Sequence, residues 1–372
     1  MAQGTSRRKI EALIERADVR IGGARPWDVQ VHDERFYARV LAQGSLGVGE
    51  SYMDGWWDCQ RLDELFNRIF RARLDEKVRG WRLLLPFLKA RLFNLQRPSR
   101  AFEIGRCHYD IGNELYRHML DRRMIYSCGY WRGAATLEQA QEAKLNLCCR
   151  KLGLQKGMRL LDIGCGWGGT LQFAAEHYGV EGVGITVSEE QLEVARETCR
   201  GLPVEIRLQD YRELDEQFDR VLSIGMFEHV GVKNYRTFMR VVERCLKEDG
   251  HFLLHTIGRN RSAAGNDAWI ERYIFPNSML PSAKQIADAA EGIFILEDWH
   301  SFGPDYDRTL MTWFANFHGA WDELKARYGE RFYRMWRFYL LACAGAFRAR
   351  SNQLWQVLFS CRGIEGEYQV PR

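Results

Sequence analysis

The chain has 372 residues, 46% hydrophobic and 27% charged, a globular composition that excludes wholesale disorder and leaves room for two or three domains. Its 53 Lys/Arg against 49 Asp/Glu give a net charge of +4, so binding to nucleic acid does not follow from charge and is not expected. Ten cysteines contain no CxxC pair and no zinc-ligand spacing, so no metal site is expected and the thiols read as reduced, in a cytoplasmic protein. No apolar stretch follows Arg7-Arg8-Lys9, which argues against a secretory signal. The longest apolar run, Phe338 to Phe347, has ten residues, whereas a membrane span needs about 20.

In chain order, residues 1–95 read as a small, mainly helical N-terminal domain. It carries a Gly-bearing segment, Gly44 to Tyr52, and the pair Trp56-Trp57. From Leu62 to Phe93 apolar residues recur at helical spacing, with Pro86 expected to kink or divide the run. Residues 68–100 hold 10 basic and 2 acidic side chains. Arg79, Arg82, Lys89 and Arg91 alternate there with Trp81, Leu83-Leu84-Leu85, Phe87-Leu88 and Leu92-Phe93. Such a mixture describes an interfacial amphipathic segment on a phospholipid bilayer. The alternative is a basic face packing its apolar side on the rest of the chain or on a second subunit. Periodicity stops at Gln96-Arg97-Pro98-Ser99, so a second domain is placed over 96–372.

From 137 onward helix and strand textures alternate. A helix over Leu137–Leu152 precedes a strand at 159–163, a glycine loop and a helix to Tyr178. A strand at 181–186 leads to a helix opened by Ser188, then strands at 204–208 and 220–224, a helix over 234–246 and a strand at 251–257. This order argues for an α/β fold with a parallel sheet covered on both faces. Aromatic-rich helices are expected at 306–328 and 331–348. The run Trp355-Gln356-Val357-Leu358-Phe359 suits a strand at the sheet edge.

The most informative stretch is Leu161-Asp162-Ile163-Gly164-Cys165-Gly166-Trp167-Gly168-Gly169. Glycines at a strand-to-helix turn let a ligand approach the backbone closely. The pattern also fits a dinucleotide loop. S-adenosylmethionine is favoured by Asp162 ahead of the first glycine, and by the lack of an acid ending the second strand, which reads Gly184-Ile185-Thr186-Val187-Ser188. After the third strand, Asp210 and Tyr211 offer an acceptor and a ring suited to adenine.

Further segments fall in the order of one family. They are His108-Tyr109-Asp110-Ile111-Gly112-Asn113, Tyr126 to Trp131, Gly225 to Gly231, Leu253 to Gly258, Tyr273 to Asn277, Glu297 to His300 and Ala342 to Arg348. With them the chain resembles bacterial cyclopropane-fatty-acyl-phospholipid synthases, of the mycolic acid cyclopropane synthase family, over most of its length. The resemblance implies a class I (Rossmann-like) methyltransferase sheet of seven mostly parallel strands, ordered 3-2-1-4-5-7-6. It also implies a homodimer, peripherally associated with the inner membrane and acting on unsaturated phospholipid.

The implied reaction adds the methyl of S-adenosylmethionine across a cis double bond of an acyl chain. Attack on the methyl leaves a carbocation, and loss of a proton closes the ring. Such a site needs exclusion of water, aromatic faces near the charge and a general base. By resemblance the base is a bicarbonate caged by Cys128, Glu228, His255 and Tyr306, with the Ile257 backbone adding a contact. Cys343 is a further candidate, although its apolar helical setting suits a buried small hydrophobe. Tyr306 follows Asp305, which would suit a helix cap. The cofactor positions implied are Tyr126, Ser127, Leu160, Asp162, Gly164, Cys165, Gly166, Gly168, Thr186, Gln191, Asp210 and Tyr211. Relatives on this scaffold also give methyl-branched or methylene products or methylate small amines, and a lipid-binding protein with a vestigial cofactor site is the non-enzymatic alternative.

Overall fold

The computed structural model describes residues 2–74, 112–263, 265–366 and 368–372. Pro86, the linker at 96–99, residues 108–111 of the first motif and the amphipathic segment from 75 onward lie outside the described residues. The chain divides into two compact units, one of Met1–Leu92, Gly265–Pro276 and Tyr306–Asn352, the other of Phe93–Ala264, Asn277–Asp305 and Gln353–Arg372. The chain thus passes between units five times, where the sequence suggests one boundary after residue 95.

The reason lies in how the N-terminal helices are covered within the first unit. Helix Leu62–Arg71 packs on the long helix Trp321–Arg348. A Cβ on Gly345 would stand 2.5 Å from the Asp63 carbonyl oxygen and 2.8 Å from the Asn67 nitrogen, so only glycine allows this approach. Arg348 fixes the contact by ion pairs to Asp63 and Asp307 at 2.7 and 2.8 Å. The Phe338 ring lies 4.6 Å from Trp269 and 5.1 Å from Phe66, joining segments distant in sequence. The helix expected over 306–328 divides earlier, at Ala320, between Pro304–Gly319 and Trp321–Arg348. Gly329 leaves helical geometry (φ 73°, ψ 165°) inside the second piece, near the break foreseen at 328–331.

The second unit holds a seven-stranded sheet: β1 (Arg159–Ile163), β2 (Glu181–Thr186), β3 (Val204–Leu208), β4 (Phe218–Ile224), β5 (Leu246–Arg259), β6 (Ile295–Ser301) and β7 (Asn352–Ser360). Their order is β3-β2-β1-β4-β5-β7-β6, as the resemblance implies. The pairs β1–β2, β2–β3, β1–β4 and β4–β5 are parallel, and β6–β7 is antiparallel. Alternation along the strands sorts side chains into two cores. Leu161, Val221, Leu254 and Val357 join Phe238 and Met239 of helix Tyr235–Cys245 on one face. Leu160, Leu222, Leu253 and Leu358 join Leu145 and Cys148 of helix Leu137–Leu152 on the other. That is the doubly covered sheet expected of near-continuous apolar strands.

One strand is placed differently from the expectation. The run Trp355–Phe359 is not at the edge; β7 lies between β5 and β6, with every residue from Gln353 to Ser360 buried. The edge belongs to β6, where Ile295 and Leu296 are 46% and 50% exposed. Its Glu297-Asp298 pair and a register shift between Leu296 and Asp298 hide the strand pattern.

Candidate active site

Strand order reverses between β1 and β4, and ligands of such sheets bind at the carboxyl ends beside the reversal. The glycine loop leaves β1 there. Gly164, Gly166 and Gly168 adopt φ of 88°, 54° and 84°, a region costly for residues with a side chain. A Cβ on Gly164 would stand 2.8 Å from the Met226 Cβ, whereas at Gly166 no described atom comes within 4 Å. The loop is thus closed on one side and open on the other. The Gly164 and Cys165 amides both donate to the Ile185 carbonyl at 3.0 Å, tying the turn to β2.

The predicted cofactor residues follow this line. Asp162 is buried, its Oδ1 meets no hydrogen-bond partner among the described residues, and burial pushes its pKa up to about 7 against the pull of Lys144. Thr186 at the end of β2 donates to Gln191 Oε1 at 2.9 Å, and Ser188 caps the helix by accepting from the Gln191 amide. Asp210 accepts from the Arg212 amide and pairs with its guanidinium at 2.7 Å. Tyr126 stacks edgewise on Tyr116, which in turn contacts Trp167 of the loop at 4.8 Å. Leu160, Cys165 and Tyr211 also belong to the cores beneath the sheet; Leu160 is fully buried, so its side chain packs while its backbone carries the strand.

Glu228 follows β4, and His255 sits inside β5, near its carboxyl end. Glu228 Oε1 accepts the Ile257 amide at 2.7 Å, so this amide, expected to face an anion, instead holds the carboxylate. His255 lies on the same strand, two residues before the Ile257 amide that holds Glu228. The other oxygen, Oε2, has no partner of good geometry among the described residues, and burial raises the carboxyl to about 7. The Gln356 amide nitrogen lies 3.3 Å from His255 Nδ1. An amide nitrogen only donates, so Nδ1 accepts and the proton sits on Nε2. Nε2 is buried with no partner among the described residues, and burial holds the imidazole neutral, well below its ordinary pKa.

Cys128 is fully buried and its thiol meets the Gly129 carbonyl at 3.1 Å. Asp305 Oδ2 accepts the Trp131 amide at 2.7 Å, and the helix starts one residue earlier, at Pro304. Tyr306 and Cys343 belong to the first unit. The Tyr306 ring lies 4.6 Å from Phe347. Burial, with Asp267 adding to it, pushes the Cys343 thiol up to about 12, which keeps it protonated and poorly nucleophilic.

Sequence reasoning missed Gln141, Lys144 and Gln356. Lys144 and Gln141 are fully buried, and Lys144 lies within electrostatic reach of Asp162, Cys128 and His255. The available signal was in helix Leu137–Leu152. Gln141, Lys144, Cys148 and Lys151 recur at spacings of three and four, placing polar residues on the stripe that its apolar neighbours mark as core. Among the described residues no cluster of His, Cys, Asp and Glu suits a metal ion.

A seven-stranded sheet in this order, with a glycine turn after its central strand and an acid ahead of the turn, defines a methyltransferase that uses S-adenosylmethionine. The chain belongs to the mycolic acid cyclopropane synthetase family, whose model matches residues 96–357. Cyclopropane-fatty-acyl-phospholipid synthase of Escherichia coli K12 is 54% identical over 361 residues, 97% of this chain and 94% of that protein. Among solved structures, the cyclopropane synthase MmaA2 of Mycobacterium tuberculosis shares 32% identity and a TM-score of 0.67, over 72% of this chain and 99% of its own. Mycolic acid cyclopropane synthase CmaA1 with SAH and CTAB gives 34% and 0.65, over 69% and 97%.

Proposed function

We propose that this chain adds a methylene bridge across a cis double bond of a phospholipid acyl chain, forming a cyclopropane fatty acyl phospholipid. S-adenosylmethionine, when bound, supplies the electrophilic methyl group. The orphaned Asp162 oxygen and the open side of the loop at Gly166 fit its polar amino-acid end. The observation that carries the chemistry is the pair of unsatisfied buried atoms at neighbouring strand ends, Glu228 Oε2 and His255 Nε2. One is an acceptor whose carboxyl titrates near neutrality, the other a neutral donor. Such a pair would orient a small anion: His255 donates a hydrogen bond to it and Glu228 accepts one from its hydroxyl, which leaves a further oxygen of the anion to accept the substrate proton. Bicarbonate has the size and charge for that role, with Cys128 as a further member of its cage. Burial of these groups keeps water from the developing carbocation.

The substrate reading extends to the bilayer surface. No helix of the described residues is long and apolar enough to cross a membrane, and the basic, aromatic composition of 68–100 supports peripheral association from the cytoplasm. The same reading makes the chain a homodimer. Labelled S-adenosylmethionine with unsaturated vesicles tests the reaction: label should enter the fatty acyl fraction, and removing bicarbonate should slow it until bicarbonate is restored. Incorporation unaffected by depletion would leave Glu228 itself as the base. Vesicle co-sedimentation of a variant with Arg79, Arg82, Lys89 and Arg91 changed to Gln tests the surface role; unchanged sedimentation would reject it.

A further inference from the structure

Lys144 has no exposed surface. Its ammonium donates to a neutral group, the Ser127 hydroxyl, at 3.0 Å, and among the described residues no carboxylate comes within ion-pairing distance of it. A buried cation facing a hydroxyl is expensive to desolvate, and desolvation lowers the pKa of this lysine. Asp162 carries the complementary carboxyl group and the same deficiency, since its Oδ1 is buried with no partner among the described residues. The two lie within each other's field yet do not pair. Two opposite charges, held apart and each short of a partner, complement a ligand end that carries both an ammonium and a carboxylate.

The surroundings fix one end of this arrangement. Ser127 Oγ, having accepted from the ammonium, keeps its own proton to donate. Gln141, one turn earlier on the same helix, donates to the Ser127 carbonyl at 2.8 Å and holds that backbone in place. We propose that Lys144, acting through the Ser127 hydroxyl, is the positioning residue for the carboxylate of the amino-acid end of S-adenosylmethionine, leaving Asp162 to face the ammonium. The proposal rests on the cofactor site described above.

Calorimetric titration with two probes tests it: S-adenosylhomocysteine, which carries the amino-acid end, and 5′-methylthioadenosine, which lacks it. For Lys144→Met the first should bind about 30-fold more weakly, the scale of a lost charge-assisted hydrogen bond. The second should change by less than about twofold, which loss of fold would not allow. Ser127→Ala should reproduce the selective loss and carries the test if the lysine variant does not fold. Equal weakening of both probes, or of neither, overturns the role of Lys144. Failure of the unmodified chain to bind either probe overturns the cofactor site itself, and the lysine's role with it.

Discussion

The Ile257 amide donates to Glu228 Oε1 at 2.7 Å, and this bond fixes which carboxylate oxygen remains available. The loop after β4 reaches across to β5, so the Glu228 carboxylate is oriented by a backbone donor while its second oxygen meets no partner of good geometry among the described residues. Replacing Glu228 by Gln keeps the acceptor for Ile257 and removes the proton acceptor. Turnover should fall by about 100-fold or more, the usual scale for a lost general base, with affinity for S-adenosylhomocysteine within a few-fold. Single-turnover rates and calorimetry check the two halves. Loss of both together would make Glu228 a structural residue.

The titration of Glu228 has a stability consequence. Its carboxyl is raised from an ordinary 4.5 to about 7 by burial. Between these values the folded chain keeps a proton that the unfolded chain has released, so its stabilising contribution shrinks as pH rises through this window. The full shift corresponds to about 3 kcal/mol, at roughly 1.4 kcal/mol per pKa unit. The melting temperature of Glu228→Gln relative to the unmodified chain should therefore rise from pH 5 to pH 8. The unmodified enzyme should gain activity through about pH 7 as the carboxylate ionises. A flat difference in melting temperature would contradict the buried, unpaired carboxyl.

Gln356 governs His255 through its Nδ1. Gln356→Leu removes that donor and frees the imidazole to adopt the other tautomer, which points no proton at the site. Activity should fall by about tenfold, the lower end for loss of an orienting partner, without change in cofactor affinity. Steady-state rates with calorimetric affinities check this, and unchanged rates would show that the tautomer is set elsewhere.

At Gly164 a side chain meets both a left-handed backbone and the Met226 Cβ at 2.8 Å. Gly164→Ala should lose about 1–3 kcal/mol of stability and most affinity for S-adenosylhomocysteine, read by thermal unfolding with and without ligand. Full retention of both would mean the loop relaxes freely.

The sheet was legible because parallel strands buried on both faces are apolar nearly throughout, as in Leu160 to Ile163, and because glycine turns and a Ser188 cap punctuate them. The edge strand was not. Exposure lets β6 carry Glu297 and Asp298, and its antiparallel partner β7 is buried enough to read as either kind of strand. The motifs pointed to Glu228 and His255, yet not to what sets their protonation. Gln356 and Lys144 act by contacts made only when strands or helices far apart in sequence meet. The spacing of Gln141, Lys144, Cys148 and Lys151 marks their stripe in the sequence, but what Lys144 touches is settled only when the helix packs on the sheet.

The fate of the methyl hydrogens tests the ring-forming reaction at its source. Unsaturated phospholipid vesicles are incubated with S-adenosylmethionine bearing a trideuterated methyl group, and the acyl products are analysed by mass spectrometry and carbon NMR. Ring closure by proton loss predicts that the transferred carbon keeps two of its three deuterons as a ring CD2, with no olefinic carbon at the modified position. A product retaining all three as a methyl branch, or two in an exocyclic methylene, would contradict the cyclopropane assignment.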